Sequence, residues 1–257
     1  MSVTLSDLRT RIQANWPSNF HSAVLTDAKL TELINKMQRF ICTRANFSFM
    51  ETTAYASTVD GTRTIALPTA AGTAVWTEVD AGTLLGYKDE ICAELLDHDS
   101  NRLPLVRSYK GKIEGMADLS ESTEAAIPEF YATHKGQIWL YPLPDHGLND
   151  DEAFNLYLSY YGYLADLSAD ADYNELTDTY PEIIEYGVTA MGFRIAQDRE
   201  SYQQWWNDAL EELAAAIVAD KERQHGTIEE GMQPVDGNSM AQGHSESDVK
   251  IITDYYT

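Results

Sequence analysis

The spacing of apolar residues changes twice along this chain, from helical to alternating and back again, and that change leaves few architectures open. In the first fifty residues the period is helical. "TLSDLRTRI" offers Thr4 or Ser6 as a cap, with Leu5, Leu8 and Ile12 on one stripe and Pro17 closing the segment. "TDAKLTELINKMQRFICTRANF" follows, capped by Thr26 or Asp27. Its Leu30, Leu33, Ile34, Met37, Phe40 and Ile41 form one apolar face. From about residue 50 the pattern alternates between turn signals. "FMETTAYASTVDGTRTIALP" turns at Asp60-Gly61, which predicts a hairpin, and "DEICAELLDHDSNRLPLVRS" predicts another with a longer loop. "PEFYATHKGQIWLYPLPD" turns near Lys135-Gly136, with Tyr131, Ile138, Leu140 and Trp139 available for burial. "AFNLYLSYYGYLADL" is a further strand by its β-favouring density. From residue 180 the helical period returns. Pro181 and Glu182 suit a first turn, and Trp205, Ala209, Leu213, Ala216 and Ile217 share a face in a segment starting at Asp198 or Ser201.

The expected fold is therefore α+β. N- and C-terminal segments form a helical bundle, an antiparallel β-sandwich or barrel is inserted between them, and an extended C-terminal tail follows. The boundaries fall at 1–48 and 178–223 for the helical core and 49–177 for the β-rich insertion. Residues 224–257 read as a flexible linker, rich in Gly, Ser, Gln and acidic residues, with an apolar docking segment at its end. That segment, "VKIITDYYT", is too short to fold alone. It suits a strand added to another protein or to a neighbouring copy, with Ile251, Ile252, Tyr255 and Tyr256 as anchors; a frayed tail is the alternative.

Charge narrows the function. With 18 Lys and Arg against 41 Asp and Glu, the formal net charge is −23. Such a chain repels nucleic acid, which argues against a DNA-reading role. The opening "MSVTLSDLRTRIQ" lacks the apolar core of a signal peptide, and no apolar run approaches membrane-spanning length, so a soluble intracellular product is expected. The Asn46-Phe47-Ser48 triplet then carries no glycosylation meaning. Cys42 and Cys92 fall in apolar patterns and read as buried free thiols.

Reactive chemistry finds no motif. The six histidines, at 21, 98, 134, 146, 225 and 244, have no zinc-ligand spacing, and no GxSxG, Walker loop or GxGxxG occurs. Two segments imitate calcium loops. "DADYNELTDTYP" places Asp170, Asp172 and Asn174 correctly, but puts Glu175 where glycine is required and Pro181 where a bidentate glutamate should stand. The loop from Asp97 fails in the same way at Arg102 and Ser108. Neither a metal nor a cofactor is expected, and no residue is assigned a catalytic role.

Four segments, taken in order, resemble the head-to-tail adaptor (connector) proteins of tailed bacteriophages. They are "TDAKLTELINKMQRFICTRANFSFMETTAYAST", "DGTRTIALP", "IPEFYATHKGQIWLYPLPD", and the run from "LYLSYYGYLADL" through "YPEIIEYGVTAMGFRIA" to "WWNDALEELAAAI". The likeness covers roughly residues 26–222, while the stretch from Ser57 to Glu90 departs from the plainest members. The resemblance implies a non-enzymatic subunit of a ring, commonly of twelve, docked below the portal protein in the virion neck. Long helices such as 26–46 and 201–222 would supply ring contacts. Portal, neighbouring subunits and tail or head-closure proteins would be the partners, with DNA passing through without specific binding and no membrane involved. The alternative is a virion-associated carbohydrate-binding or hydrolytic protein acting at the host envelope. It would need an exposed row of aromatic side chains or two carboxylates facing a groove. A free calcium-binding monomer is disfavoured by the failed loops.

Overall fold

A computed structural model describes residues 2–17, 25–69, 75–78, 86–119 and 125–225. The architecture is α+β, with six α-helices among the described residues: α1 Leu5–Ala14, α2 Asp27–Arg44, α3 Lys110–Leu119, α4 Glu175–Thr179, α5 Pro181–Ile195 and α6 Arg199–His225. The strands are β1 Glu51–Ser57, β2 Thr64–Ala66, β3 Thr77–Glu78, β4 Gly86–Leu96, β5 Arg102–Pro104, β6 Val106–Arg107, β7 Ala125–Ala126, β8 Phe130–His134, β9 Gln137–Tyr141, β10 Leu143–Pro144 and β11 Asn155–Tyr163. The chain divides into two compact units, one of residues 1–37 with 168–257 and one of residues 38–167, so that the division falls inside α2.

In the first unit, local chemistry sets each helix end. Thr4 caps α1: its hydroxyl accepts from the Asp7 N–H at 3.3 Å, while the Asp7 carboxylate accepts from the Thr4 N–H at 3.0 Å. Leu5, Leu8 and Ile12 are fully buried, as their spacing predicts. Thr26 accepts from the Lys29 N–H at the start of α2, and Asp198 accepts from the Ser201 N–H at the start of α6. α5 opens on Pro181, whose missing N–H costs nothing there. α5 and α6 form an antiparallel hairpin, with Arg194 beside Tyr202 near the turn, Tyr186 beside Trp205 midway, and Tyr180 against Arg223 at the far end. α6 runs to His225 and so takes in the first two residues of the expected linker.

Two glycines let the other helices approach α5. A Cβ on Gly192 would lie 2.3 Å from Cζ2 of Trp16, and one on Gly187 would lie 2.3 Å from Cε of Met37. The Trp16 indole N–H then donates to the Thr189 carbonyl at 3.2 Å, and Asn15 donates to the Glu185 carboxylate at 2.9 Å.

In the second unit, β3-β1-β11-β4-β5 form one antiparallel sheet and β2-β9-β8-β6 a second, in which only the β6–β8 pairing is parallel. β7 and β10 form a short parallel pair. Ala54, Leu95, Leu156, Leu158 and Tyr160 from the first sheet share one core with Ile65, Tyr131, Ile138 and Leu140 from the second. Among the described residues neither sheet closes into a barrel. The β8–β9 hairpin turns at Lys135 (φ 47°) and Gly136 (φ 75°), a left-handed pair that matches strand twist, and β4–β5 form the second predicted hairpin.

Two local expectations are corrected, and one helix is new. Asp60-Gly61 does turn, with Gly61 at φ 62°, but β1 and β2 do not pair with each other: β1 joins β11 and β2 joins β9. The turn is a corner between sheets, held by the Gly61 N–H on the Pro144 carbonyl and the His146 N–H on the Asp60 carboxylate. Cys42 is buried, but Cys92 is exposed. Opposite Ser159 and Tyr160 the partners are Cys92 and Glu90, so Ile91 is an extra residue in β4. That bulge breaks the alternation and turns both Ile91 and Cys92 outward while Glu90 goes inward. Finally, the insertion contains α3, whose two glycines, Gly111 and Gly115, leave little helical signal.

Overpacking tests the close approach on α5. Gly192→Ala gains about 1 kcal/mol of helix propensity. It meets a rigid indole ring, whose displacement costs about 1–3 kcal/mol. Gly187→Ala meets the flexible end of Met37. Urea denaturation is expected to show Gly192→Ala as the more destabilised variant; equal midpoints would remove the steric account.

Candidate interaction surfaces

The acidic loops that imitate calcium sites have other work. The Asp172 carboxylate accepts from the N–H groups of Ala169 at 2.7 Å and Ser168 at 2.8 Å, and from the Ser168 hydroxyl at 3.0 Å. These bonds, the Ala169 N–H foremost, hold its pKa below the usual carboxylate range. The carbonyls of Asp170 and Asp172 take the first-turn N–H groups of Ser6 and Leu5, and the Asp170 carboxylate pairs with Arg9 at 2.7 Å. Asn174 caps α4 by accepting from the Thr177 N–H. The other loop is closed by Asp97, which accepts from the Asn101 N–H at 2.7 Å and its side-chain amide at 2.9 Å. Among the described residues no group of three or more His, Cys, Asp or Glu side chains is placed to hold a metal ion.

His98, in the loop between β4 and β5, meets a second loop that follows the 3-10 turn His146–Leu148. Its Nδ1 lies 3.2 Å from Oδ1 of the buried Asn149, which also accepts the His98 backbone N–H at 2.9 Å. Its Nε2 lies 3.1 Å from Asp150 and 3.4 Å from Asp99. An imidazolium donates at both nitrogens and satisfies this setting fully. The Asn149 bond first, then the charges of Asp99, Asp150 and Asp97, raise the His98 pKa above 6.5.

A buried carboxylate joins the two sheets of the second unit. The Glu90 side chain is 2% exposed and lies 2.5 Å from the Arg107 guanidinium, whose side chain is 63% exposed. The Thr133 hydroxyl donates to it at 3.2 Å, and the Tyr87 hydroxyl donates as well. Burial and the bond to Glu90 push the Tyr87 pKa upward. Sequence reading missed this network because Glu90 stands among other charged residues of β4, Lys88, Asp89 and Glu94, and only the bulge at Ile91 turns it inward.

Aromatic side chains on the outer face of the five-stranded sheet are engaged with one another. Tyr55 and Tyr157 stack at 5.4 Å, both half-buried, and the Arg102 guanidinium lies 5.9 Å from the Tyr157 ring. The α5–α6 hairpin carries a different surface. On one flank the half-buried Tyr186 and Trp205 rings pack at 5.5 Å. Burial first, then the charges of Glu185, Glu212, Glu182 and Asp208, raise the Tyr186 pKa. Near the turn lies an open recess of about 350 Å³ lined by Arg194, Gln197, Asp198, Arg199, Tyr202 and Gln203. The four residues singled out from sequence, Ile251, Ile252, Tyr255 and Tyr256, lie outside the described residues.

Side chains in these places cap, staple and pack, and among the described residues no helix is long and apolar enough to cross a membrane. The model of the SU10 adaptor protein family matches residues 3–232. The chain belongs to that family, which makes it a phage adaptor protein with a structural role. The match includes the segments that carried the resemblance and stops short of the apolar terminus. No curated protein matches the chain.

The His98 staple has a defined pH sense. Because its folded pKa is raised, its contribution to stability is complete below pH 6.5 and is lost as pH rises through the raised value. Asn149→Ala is expected to bring the His98 titration, followed by NMR, back toward 6.5; an unchanged titration would assign the shift to the aspartates alone.

Proposed function

We propose that this chain is the subunit of a ring, commonly twelvefold, that docks below the portal protein in the virion neck, extends the DNA channel and presents the surface on which tail or head-closure proteins assemble. Family membership over residues 3–232 carries this reading. The chemistry agrees with it: the acidic loops close turns and cap helices, and the buried Glu90 is held between sheets. A wedge in a ring needs shape and self-contact rather than a reactive centre.

The net charge of −23 fits the same role. DNA is gripped through phosphate contacts to Lys and Arg, and an acidic lumen lets it slide. Ile251, Ile252, Tyr255 and Tyr256 are the anchors by which the C-terminal segment ties onto the portal or an adjacent subunit.

Native mass spectrometry of the full chain, alone and mixed with portal from the same virus, is the decisive measurement. Binding of about one chain per portal subunit is expected; a chain that ignores the portal overturns the docking assignment. Deleting residues 248–257 is expected to weaken assembly while leaving the thermal unfolding transition of the subunit unchanged. Assembly at wild-type strength would strip the four anchors of their role.

A further inference from the structure

A protein with 41 acidic and 18 basic side chains repels its own copies over most of its surface. Contact between copies is favoured where basic groups are not already neutralised. Arg9, Lys29, Arg39, Arg102, Arg107 and Lys110 all form ion pairs within the chain. Of the described basic side chains that form no ion pair, Arg194 and Arg199 share the recess at the α5–α6 turn, where the Asp198 carboxylate is already bonded to the Ser201 N–H and hydroxyl. Arg194 is held in place over the Tyr202 ring, at 5.8 Å from its centroid.

The same hairpin carries the complementary charge elsewhere on its surface. On α6 the buried face is marked by Ala209, Leu213 and Ala216. At 3.6 residues per turn, Asp208 and Glu212 lie about 180° and 220° around the helix from Arg199, across that buried face. Glu182 lies one turn before Tyr186 on α5, and Tyr186 packs at 5.5 Å on Trp205, which lies one and two turns before Asp208 and Glu212 on α6. None of the three carboxylates forms an ion pair among the described residues. Trp205 and Tyr186, half-buried beside them, are side chains of the type that anchors interfaces.

We propose that successive copies of this chain join head to tail through the α5–α6 hairpin, the recess with Arg194 and Arg199 of one copy receiving the flank with Glu182, Asp208 and Glu212 of the next. Because the two patches differ, the contact is heterologous, and a heterologous contact closes into a ring where the rotation from copy to copy completes a full turn. The inference rests on the ring reading above and assigns its subunit contact. A guanidinium pair facing carboxylates gives register and orientation as well as attraction, and it weakens as salt screens it.

Charge reversal tests it on the full-length chain, with oligomeric state read by native mass spectrometry and analytical ultracentrifugation at low and high salt. R194E/R199E and D208R/E212R are each expected to weaken self-association by about tenfold or more while keeping the wild-type melting curve. The combined variant R194E/R199E/D208R/E212R, which restores opposite charges across the contact, is expected to recover association. Reversal variants that assemble like the wild type overturn the contact and leave the ring standing, as does failure of the combined variant to recover. A wild-type chain that stays monomeric both alone and on the portal removes the contact and the ring reading together.

Discussion

The approach of Trp16 to Gly192 is the contact on which the helical unit depends. An indole can lie against a helix backbone only where the facing residue has no side chain, and a Cβ at that position would penetrate the ring. The contact, with the indole N–H on the Thr189 carbonyl, joins residues 173 positions apart. Closing so long a loop carries an entropic cost that only well-packed, desolvated groups offset. Met37 at Gly187 and Asn15 at Glu185 add to the same seam, so α5 acts as the post against which both N-terminal helices are set. Outside that seam, the stretch before residue 38 and the stretch after 167 are tied by polar contacts of the first turns of α1 with Asp170 and Asp172.

How much of this could be read in advance depended on the range of the interaction. The stripe Leu5, Leu8, Ile12 and the Lys135-Gly136 turn are set by neighbours a few residues away, and both were legible. The Asp60-Gly61 turn was legible as a turn, yet its strands pair with partners far along the chain, so the hairpin inferred from it is absent. Cys92 was misplaced because one additional residue at Ile91 shifts the alternation, and a bulge is visible only against the partner strand. α3 was missed because its sequence is nearly neutral toward helix. The surfaces were less legible still. Glu90, Arg107 and Thr133 meet only once both sheets exist, and Arg194 meets Tyr202 only once α6 folds back on α5.

Carboxylates outnumber basic groups by 41 to 18, and the structure shows how a share of them serve the fold. Asp7, Asp97, Asp172 and Asp198 each accept backbone N–H groups at a helix start or turn. In those positions a negative charge is an asset, since it satisfies donors that would otherwise face water or remain unpaired. The charge that sets the chain's net balance at −23 is thus in part the same charge that caps its helices and closes its loops. Acidity and architecture are not separate properties of this adaptor.

The length of α6 has a geometric consequence. Its 27 residues make a continuous rod of about 40 Å. The recess with Arg194 and Arg199 lies at one end, and the chain departs toward residue 226 at the other. Whatever is gripped at the first end and whatever is reached from the second are held apart by a spacer that bends little. The helix is a ruler: it sets a fixed separation between two attachments and passes a displacement at one to the other.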